Sequence, residues 1–233
     1  MIRTEPQSRH ELKYLISAAQ VPILRSRIES IMRPDPHADN NGSYQIRSLY
    51  FDDYYDKCFF ENENGTDPRE KFRIRIYNHA SNRITLECKC KEHGMTRKTS
   101  CPLTADQCEL LMKGMPLHDT GDLLPLQRKL NLEIRTHMLQ PKVIVEYDRI
   151  PYVYRDGNVR VTFDSNIASS SDLAAFFSPT LRKRSIMPSG LQLLEVKFDE
   201  FLPDFIYRSL NLGYLQQTAY SKYYLCRKYR LLK

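Results

Sequence analysis

Arginines and lysines recur in this chain at alternate positions, several of them two residues from a carboxylate. Residues 71–77 carry Arg73, Arg75 and Tyr77 on one side of a period-two pattern and Phe72, Ile74 and Ile76 on the other. Residues 84–91 repeat it, with Thr85, Glu87, Lys89 and Lys91 opposite Ile84, Leu86, Cys88 and Cys90. Arg149, Arg160 and the pair Glu195 and Lys197 stand on further segments of the same kind. Arginine offers phosphate oxygens a rigid fork of donors, and lysine offers a point charge. A carboxylate among them can hold a divalent cation against the same phosphates. The chemistry that suits such a set is the grip of a polyanion.

Strict alternation is the mark of a strand, and it predicts strands over 9–16, 44–52, 71–77, 84–91, 96–101, 142–149, 158–164 and 193–199, with a hairpin turn at 78–82. Helices interrupt the series. Ser17-Ala18-Ala19-Gln20 has capping-box spacing ahead of Val21, Leu24, Ile28 and Ile31, and Thr104-Ala105-Asp106-Gln107 opens a second helix over 104–112. Further helices are predicted over 123–139, 204–212 and 221–233, with a helical turn at 172–177 and Arg182-Lys183-Arg184 in a polar loop. No repeat or linker divides the chain, so one α+β domain over residues 1–233 is expected.

Taken singly, each strand has a plain explanation, since a half-buried strand ordinarily turns its charges to water. Taken together, their opposite faces are nearly all apolar. If helices over 17–32, 123–139 and the C-terminal residues cover those faces from outside, the charged faces turn inward. The sheet then closes into an eight-stranded antiparallel barrel with a polar lumen. A lumen lined mainly by arginine and lysine must hold an anion.

The 233 residues carry 35 Lys and Arg against 28 Asp and Glu, a net charge of +7, with 41% hydrophobic residues, which is too apolar for a disordered chain. No apolar run approaches the roughly 18 residues of a membrane helix, and no apolar signal core opens the chain, so a cytoplasmic location is expected. Six scattered cysteines without a C-x-x-C pair read as reduced thiols, and the histidines lack zinc-ligand spacing. Basic residues are not interleaved with aromatic ones as base-stacking platforms are, which argues against nucleic acid.

In order along the chain, Arg9-His10-Glu11-Leu12-Lys13-Tyr14, Ser48-Leu49-Tyr50-Phe51-Asp52, Lys71-Phe72-Arg73-Ile74-Arg75-Ile76-Tyr77, Leu86-Glu87-Cys88-Lys89, Val145-Glu146-Tyr147-Asp148-Arg149, Val159-Arg160-Val161-Thr162-Phe163-Asp164, Leu194-Glu195-Val196-Lys197 and Ser221-Lys222-Tyr223 resemble the CYTH-like triphosphate tunnel metalloenzyme superfamily. Within it they are most similar to the vacuolar transporter chaperone (VTC) domain of polyphosphate polymerases. The resemblance implies an eight-stranded tunnel that binds triphosphate or polyphosphate with a divalent metal, manganese or magnesium, and moves the γ-phosphoryl of ATP onto a growing chain. Carried over by position, Lys13, Arg73, Arg75, Lys89 and Lys197 become catalytic cations. Arg9, Tyr147, Arg149, Arg160, Ser221 and Lys222 become phosphate ligands, joined by Lys98 or, in another register, Arg97. Glu195 becomes the metal ligand. Glu11 and Glu87 are either further metal ligands or charge partners of neighbouring cations. Where the superfamily opens with E-x-E-x-K, this chain has Arg9-x-Glu11-x-Lys13, as in the polymerase branch, which removes one acid from the first strand. The additional domains of the eukaryotic polymerases are not expected in this catalytic module.

Three functions fit these residues: an ATP-driven polyphosphate polymerase, an inorganic triphosphatase or nucleoside triphosphate hydrolase on the same fold, and a polyphosphate-binding module without catalysis. The expected partners are ATP and inorganic polyphosphate or triphosphate. A membrane-protein partner outside this chain and the oligomeric state are left open.

Overall fold

A single antiparallel sheet carries nearly every residue singled out above. The computed structural model describes residues 8–39, 41–119 and 121–231. Its strands are β1 (His10–Ser17), β2 (Arg33–Pro34), β3 (Tyr44–Asp52), β4 (Arg69–Tyr77), β5 (Ile84–Glu92), β6 (Met95–Leu103), β7 (Gln140–Tyr154), β8 (Val159–Ser170), β9 (Arg184–Ser185) and β10 (Leu191–Phe198). The eight long ones run in the order β1-β10-β8-β7-β3-β4-β5-β6, while β2 and β9 add short pairings to β7 and β8. Helices α1 (Gln20–Glu29), α2 (Lys57–Glu63), α3 (Ala105–Met112), α4 (Pro125–His137), α5 (Asp204–Ser209) and α6 (Lys222–Leu231) surround or enter it.

Period-two patterning decides which face is which. On β4, Phe72, Ile74 and Ile76 point outward into a core completed by Leu86, Cys88, Leu111, Leu126, Leu130 and Ile134, so that α3 and α4 cover the back of β4 to β6. On the other flank, Tyr14, Ile16, Val161, Phe163, Leu194 and Val196 pack under Val21, Leu24 and Ile28 of α1 and Ile206 of α5. Of the two caps read from sequence, Thr104 and Gln107 form the reciprocal capping box, whereas Ser17 and Gln20 exchange the equivalent bonds in the turn ahead of α1, whose N-cap is Ala19 without a side-chain cap. The β4–β5 hairpin turns through Asn78 and His79, both at positive φ, with Ala80 N–H donating to Tyr77 O at 2.9 Å.

The expected full closure of the barrel is not present. The sheet curls into a half-barrel whose two outer strands meet at one bridge, Arg9 with Thr96, joined by two backbone hydrogen bonds of 2.9 Å. Further along β1 the free edge is taken by another segment. Tyr14 bridges Gln217, and Thr218 N–H donates to Lys13 O at 2.8 Å, so the edge that closure needs is already paired.

The expectation that the C-terminal helix covers an outer face also fails. Tyr220, Tyr223 and Cys226 pack with Ile46, Tyr50, Val143, Val145, Ile167 and Leu193, all on the concave side. At that end of the curl the inward positions are apolar, and α6 fills it. Helix α2, which carries no legible sequence signal, supports α6. Buried Asp52 accepts the N–H groups of Cys58 at 2.8 Å and Phe59 at 3.1 Å, and the Tyr223 hydroxyl donates to the same carboxylate. Phe59 stacks on Tyr224, and Arg227 pairs with Asp56 at 2.5 Å.

Outside the lumen, one ionic cluster pins a loop to the convex face. Arg47 is 1% exposed and meets Glu146 at 2.6 Å, while Lys183 and His79 share the same carboxylate. Arg47 also donates to the carbonyls of Phe176 at 2.8 Å and Ser178 at 2.7 Å. Lys183 of the predicted polar loop is thereby committed to structure.

The α4 packing gives a direct test of this layering. Leu130→Ala removes a fully buried side chain and should cost about 3 kcal/mol, lowering Tm by roughly 6–12 °C in a chain of this size. Leu132→Ala, on the exposed side of the same helix, should leave Tm within about 2 °C in the same calorimetric scan.

Candidate active site

Alternation along the strands delivers the site side chains to a cavity of about 400 Å³ on the concave face. β4 contributes Lys71, Arg73 and Arg75, β5 contributes Lys89 and Lys91, and β6 contributes Lys98. Tyr147 and Arg149 enter from β7, Glu195 and Lys197 from β10, and Glu11 and Lys13 from β1. The segment leading into α6 closes one wall with Tyr220, Ser221, Lys222 and Tyr223. Lys98, and not Arg97, takes the β6 position: its Nζ reaches Glu87 at 3.0 Å, whereas Arg97 lines a separate outer hollow.

Strand register sets cations directly opposite acids. Arg73 faces Glu87, Arg149 faces Asp164, Lys13 faces Glu195 and Lys197 faces Glu11. Such facing pairs stabilise a sheet, and here they also keep the lumen cations apart. Arg73 Nε donates to Glu87 at 2.7 Å and its Nη1 donates to the Tyr50 hydroxyl at 2.8 Å. Arg75 stands 3.7 Å from Glu87, with Ser48 Oγ at 3.4 Å and the Tyr147 hydroxyl at 3.5 Å. Arg149 holds Asp164 through two bonds of 2.6 and 2.7 Å, and Lys222 reaches the same carboxylate at 2.6 Å. Lys222 also sits 4.6 Å above the Tyr147 ring.

Around the seam, Glu11 binds Lys89 at 2.5 Å and lies within 3.8 Å of both Lys13 and Lys197. Glu195 pairs with Lys197 at 2.8 Å, Arg149 at 3.6 Å and Lys13 at 3.8 Å. Burial alone would raise these carboxyl pKa values. Lys13, Lys89 and Lys197 outweigh it at Glu11 and hold that group at about 2. Lys197, Lys13, Lys222 and Arg149 hold Glu195 well below the usual range, as Arg73, Arg75 and Lys98 do for Glu87. Burial likewise raises the Tyr147 hydroxyl, but Arg149, Arg75 and Lys222 bring it below its ordinary value.

The carboxylates sort into two kinds. Glu87 is enclosed by Arg73, Arg75 and Lys98 and acts as their counter-ion. Glu11 and Glu195 lie side by side, sharing Lys13 and Lys197. Among the described residues no group of three or more His, Cys, Asp or Glu is placed to hold a metal ion. Two carboxylates are nonetheless enough for a hard cation that arrives with phosphate oxygens and water as its other ligands. Buried Glu195 Oε1 is held by the ion pairs to Lys197 and Arg149 and accepts no well-aligned hydrogen bond, so a cation arriving with phosphates that draw those two side chains away would find it unshared.

Two predicted ligands lie elsewhere. Arg9 pairs with Asp199 at 2.7 Å and donates to Asn158 O, and Arg160 pairs with Asp35 and the Tyr44 hydroxyl, each at 2.6 Å. Neither lines the cavity. Conversely, the cavity includes Lys71, Lys91 and Arg69, whose position in the alternation was readable in the sequence, and Asn62 and Tyr220, for which no pattern existed.

With this geometry in view, the likeness to known proteins can be located on the fold. No curated protein matches the chain. Among solved structures, a Bacillus halodurans protein with a provisional adenylate cyclase assignment aligns at a TM-score of 0.53 and 15% identity, covering 94% of this chain and 96% of that one. A Pyrococcus horikoshii OT3 protein gives a TM-score of 0.48 at 13% identity over 95% of this chain and 99% of its own. At such identities the first of these speaks for the fold alone. The model of the VTC domain family matches residues 8–230, spanning every element that lines the cavity from β1 into α6. The chain therefore belongs to the VTC domain family.

Proposed function

We propose that this protein is a metal-dependent polyphosphate polymerase that transfers the γ-phosphoryl of ATP to the end of an inorganic polyphosphate chain. The observation that carries this reading is the state of the acids. Glu11, Glu195 and Glu87 each contact two or more cations, and all three have lowered pKa values. A carboxylate of that kind is too weak a base to activate water near neutral pH. An attacking water gains from a group that takes its proton or orients it, whereas a terminal phosphate is already anionic and needs none. The cavity therefore favours a phosphate acceptor over water, and the hydrolase reading stands second.

Phosphoryl transfer requires the attacking oxygen, phosphorus and leaving oxygen in line, and stabilisation of the charge on the transferring group. Arg73, Arg75, Arg149, Lys89 and Lys197 surround the triphosphate, and the Tyr147 hydroxyl donates to it. Lys13 and Lys222 add charge, while Lys98 and Glu87 hold the arginine pair in place. Glu195, with Glu11 beside it, would hold the divalent cation, which supplies neutralisation of the phosphate oxygens as charge develops. An oxygen of the acceptor's terminal phosphate forms a bond to the γ-phosphorus as the bond to the bridging β,γ oxygen breaks, and ADP leaves with that oxygen. In this cavity of low dielectric the preorganised cations offset the repulsion between the two polyanions.

The product assay separates the three functions. With ATP and Mn²⁺ or Mg²⁺, accumulation of long-chain polyphosphate on a gel is expected. Free phosphate alone would make the protein a hydrolase, and neither product would leave a binding module. Arg75→Ala should lower kcat/KM for ATP by at least about 100-fold with the far-ultraviolet spectrum unchanged. Glu195→Gln should abolish the metal stimulation of transfer, while metal-free binding of tripolyphosphate, measured by calorimetry, stays equal or tightens because one negative charge has gone.

A further inference from the structure

Lys71 differs from the cavity cations that pair with acids. Its Nζ donates to Asn62 Oδ1 at 2.7 Å and to Ser221 Oγ at 3.5 Å, and stands 5.1 Å from the Tyr223 ring centre. All three partners are neutral. Glu61 on α2 feels its charge but lies beyond ion-pair distance. The register around Lys71 is also unusual, because Lys71 faces Lys89 and the next same-face position sets Arg69 opposite Lys91. Like charges directly opposite destabilise a sheet. Two consecutive rows of cation on cation therefore sit next to the acid-paired rows of Arg73, Arg149, Lys13 and Lys197, and Lys89 faces a further cation, Lys98, across β6. Burial first, then Arg69, Lys89 and Lys13, pushes the Lys71 ammonium down to about 7, partly offset by Cys58. An anion beside it would favour the charged form.

We infer that Lys71, Asn62 and Ser221, flanked by Arg69 and Lys91, form a second anion subsite that takes the terminal phosphate of an inorganic polyphosphate acceptor, apart from the residues that grip ATP. Lys71 stands two residues from Arg73 on β4, about 7 Å along the strand, so an anion held there abuts the triphosphate without sharing its ligands. The Asn62 amide nitrogen and the Ser221 hydroxyl add uncharged donors, and such a site distinguishes a phosphate chain end from a nucleoside, for which it offers no apolar or stacking surface beyond Tyr223. The inference rests on the polymerase reading for the role of its ligand, but its test is a binding measurement that needs no turnover.

Lys71→Met and, independently, Asn62→Asp, which places a carboxylate against Lys71, are titrated by calorimetry with short-chain inorganic polyphosphate and with the β,γ-imido analogue of ATP. Both variants should bind polyphosphate at least tenfold more weakly and the ATP analogue within twofold of the wild type. Equal loss for both ligands, or no loss for either, overturns the subsite. If Lys71→Met does not fold, Asn62→Asp alone decides, since it alters a partly exposed residue. A wild-type protein that makes no polymer yet shows the split in binding overturns the polymerase function and leaves the subsite standing.

Discussion

The structure depends on bringing many cations together inside a protein and keeping them there before any substrate arrives. Unpaired, buried arginines and lysines would repel one another and lose hydration. Four acids prevent this. Glu11, Glu87, Asp164 and Glu195 are set opposite Lys197, Arg73, Arg149 and Lys13 by strand register, so neutralisation comes from the same hydrogen bonds that build the sheet. An incoming polyanion competes with these acids for the cations. The acids, released from their partners, are then available to a divalent cation that travels with the phosphates.

The layers around the lumen divide the work. The convex face supplies the apolar burial, through α3 and α4 on one flank and α1 and α5 on the other. The concave face is polar over the cavity and apolar where α6 enters. Because Ser221 and Lys222 lead directly into Tyr223 and Cys226, residues that line the cavity and those that fill the end of the curl belong to one continuous segment. Asp52 joins this helix to α2, so the far wall of the cavity is held by a buried carboxylate and a hydroxyl instead of by strand pairing.

Much of this was legible in the sequence because it rests on period two. Arg73, Arg75, Glu87, Lys89, Glu195 and Lys197 fall on the inward face by alternation alone, and Phe72, Ile74, Val161 and Val196 fall outside. Alternation does not tell how far along a strand a residue sits relative to the rim. Arg160 shares the face of Thr162 and Asp164 and stands opposite Lys197, yet Asp35 and the Tyr44 hydroxyl hold it outside the cavity. Arg9 precedes β1 and turns to Asp199. The position of α6 was hidden for another reason. An amphipathic basic helix packs equally well on an outer face, and only the apolar inward positions Val143, Val145, Ile167 and Leu193, spread over three strands, show where it belongs.

The seam between β1 and β6 has a consequence of its own. Backbone pairing joins the two edges at Arg9 and Thr96, and beyond that point the edges are tied through side chains, with Glu11 reaching across to Lys89 and to the Thr96 hydroxyl. A ring fastened in this way behaves as a split collar, its circumference set by an electrostatic clasp. A phosphate chain that drew Lys89 away from Glu11 would undo the clasp, tying the filling of the lumen to the loosening of its girth, and rising ionic strength would weaken the same pair.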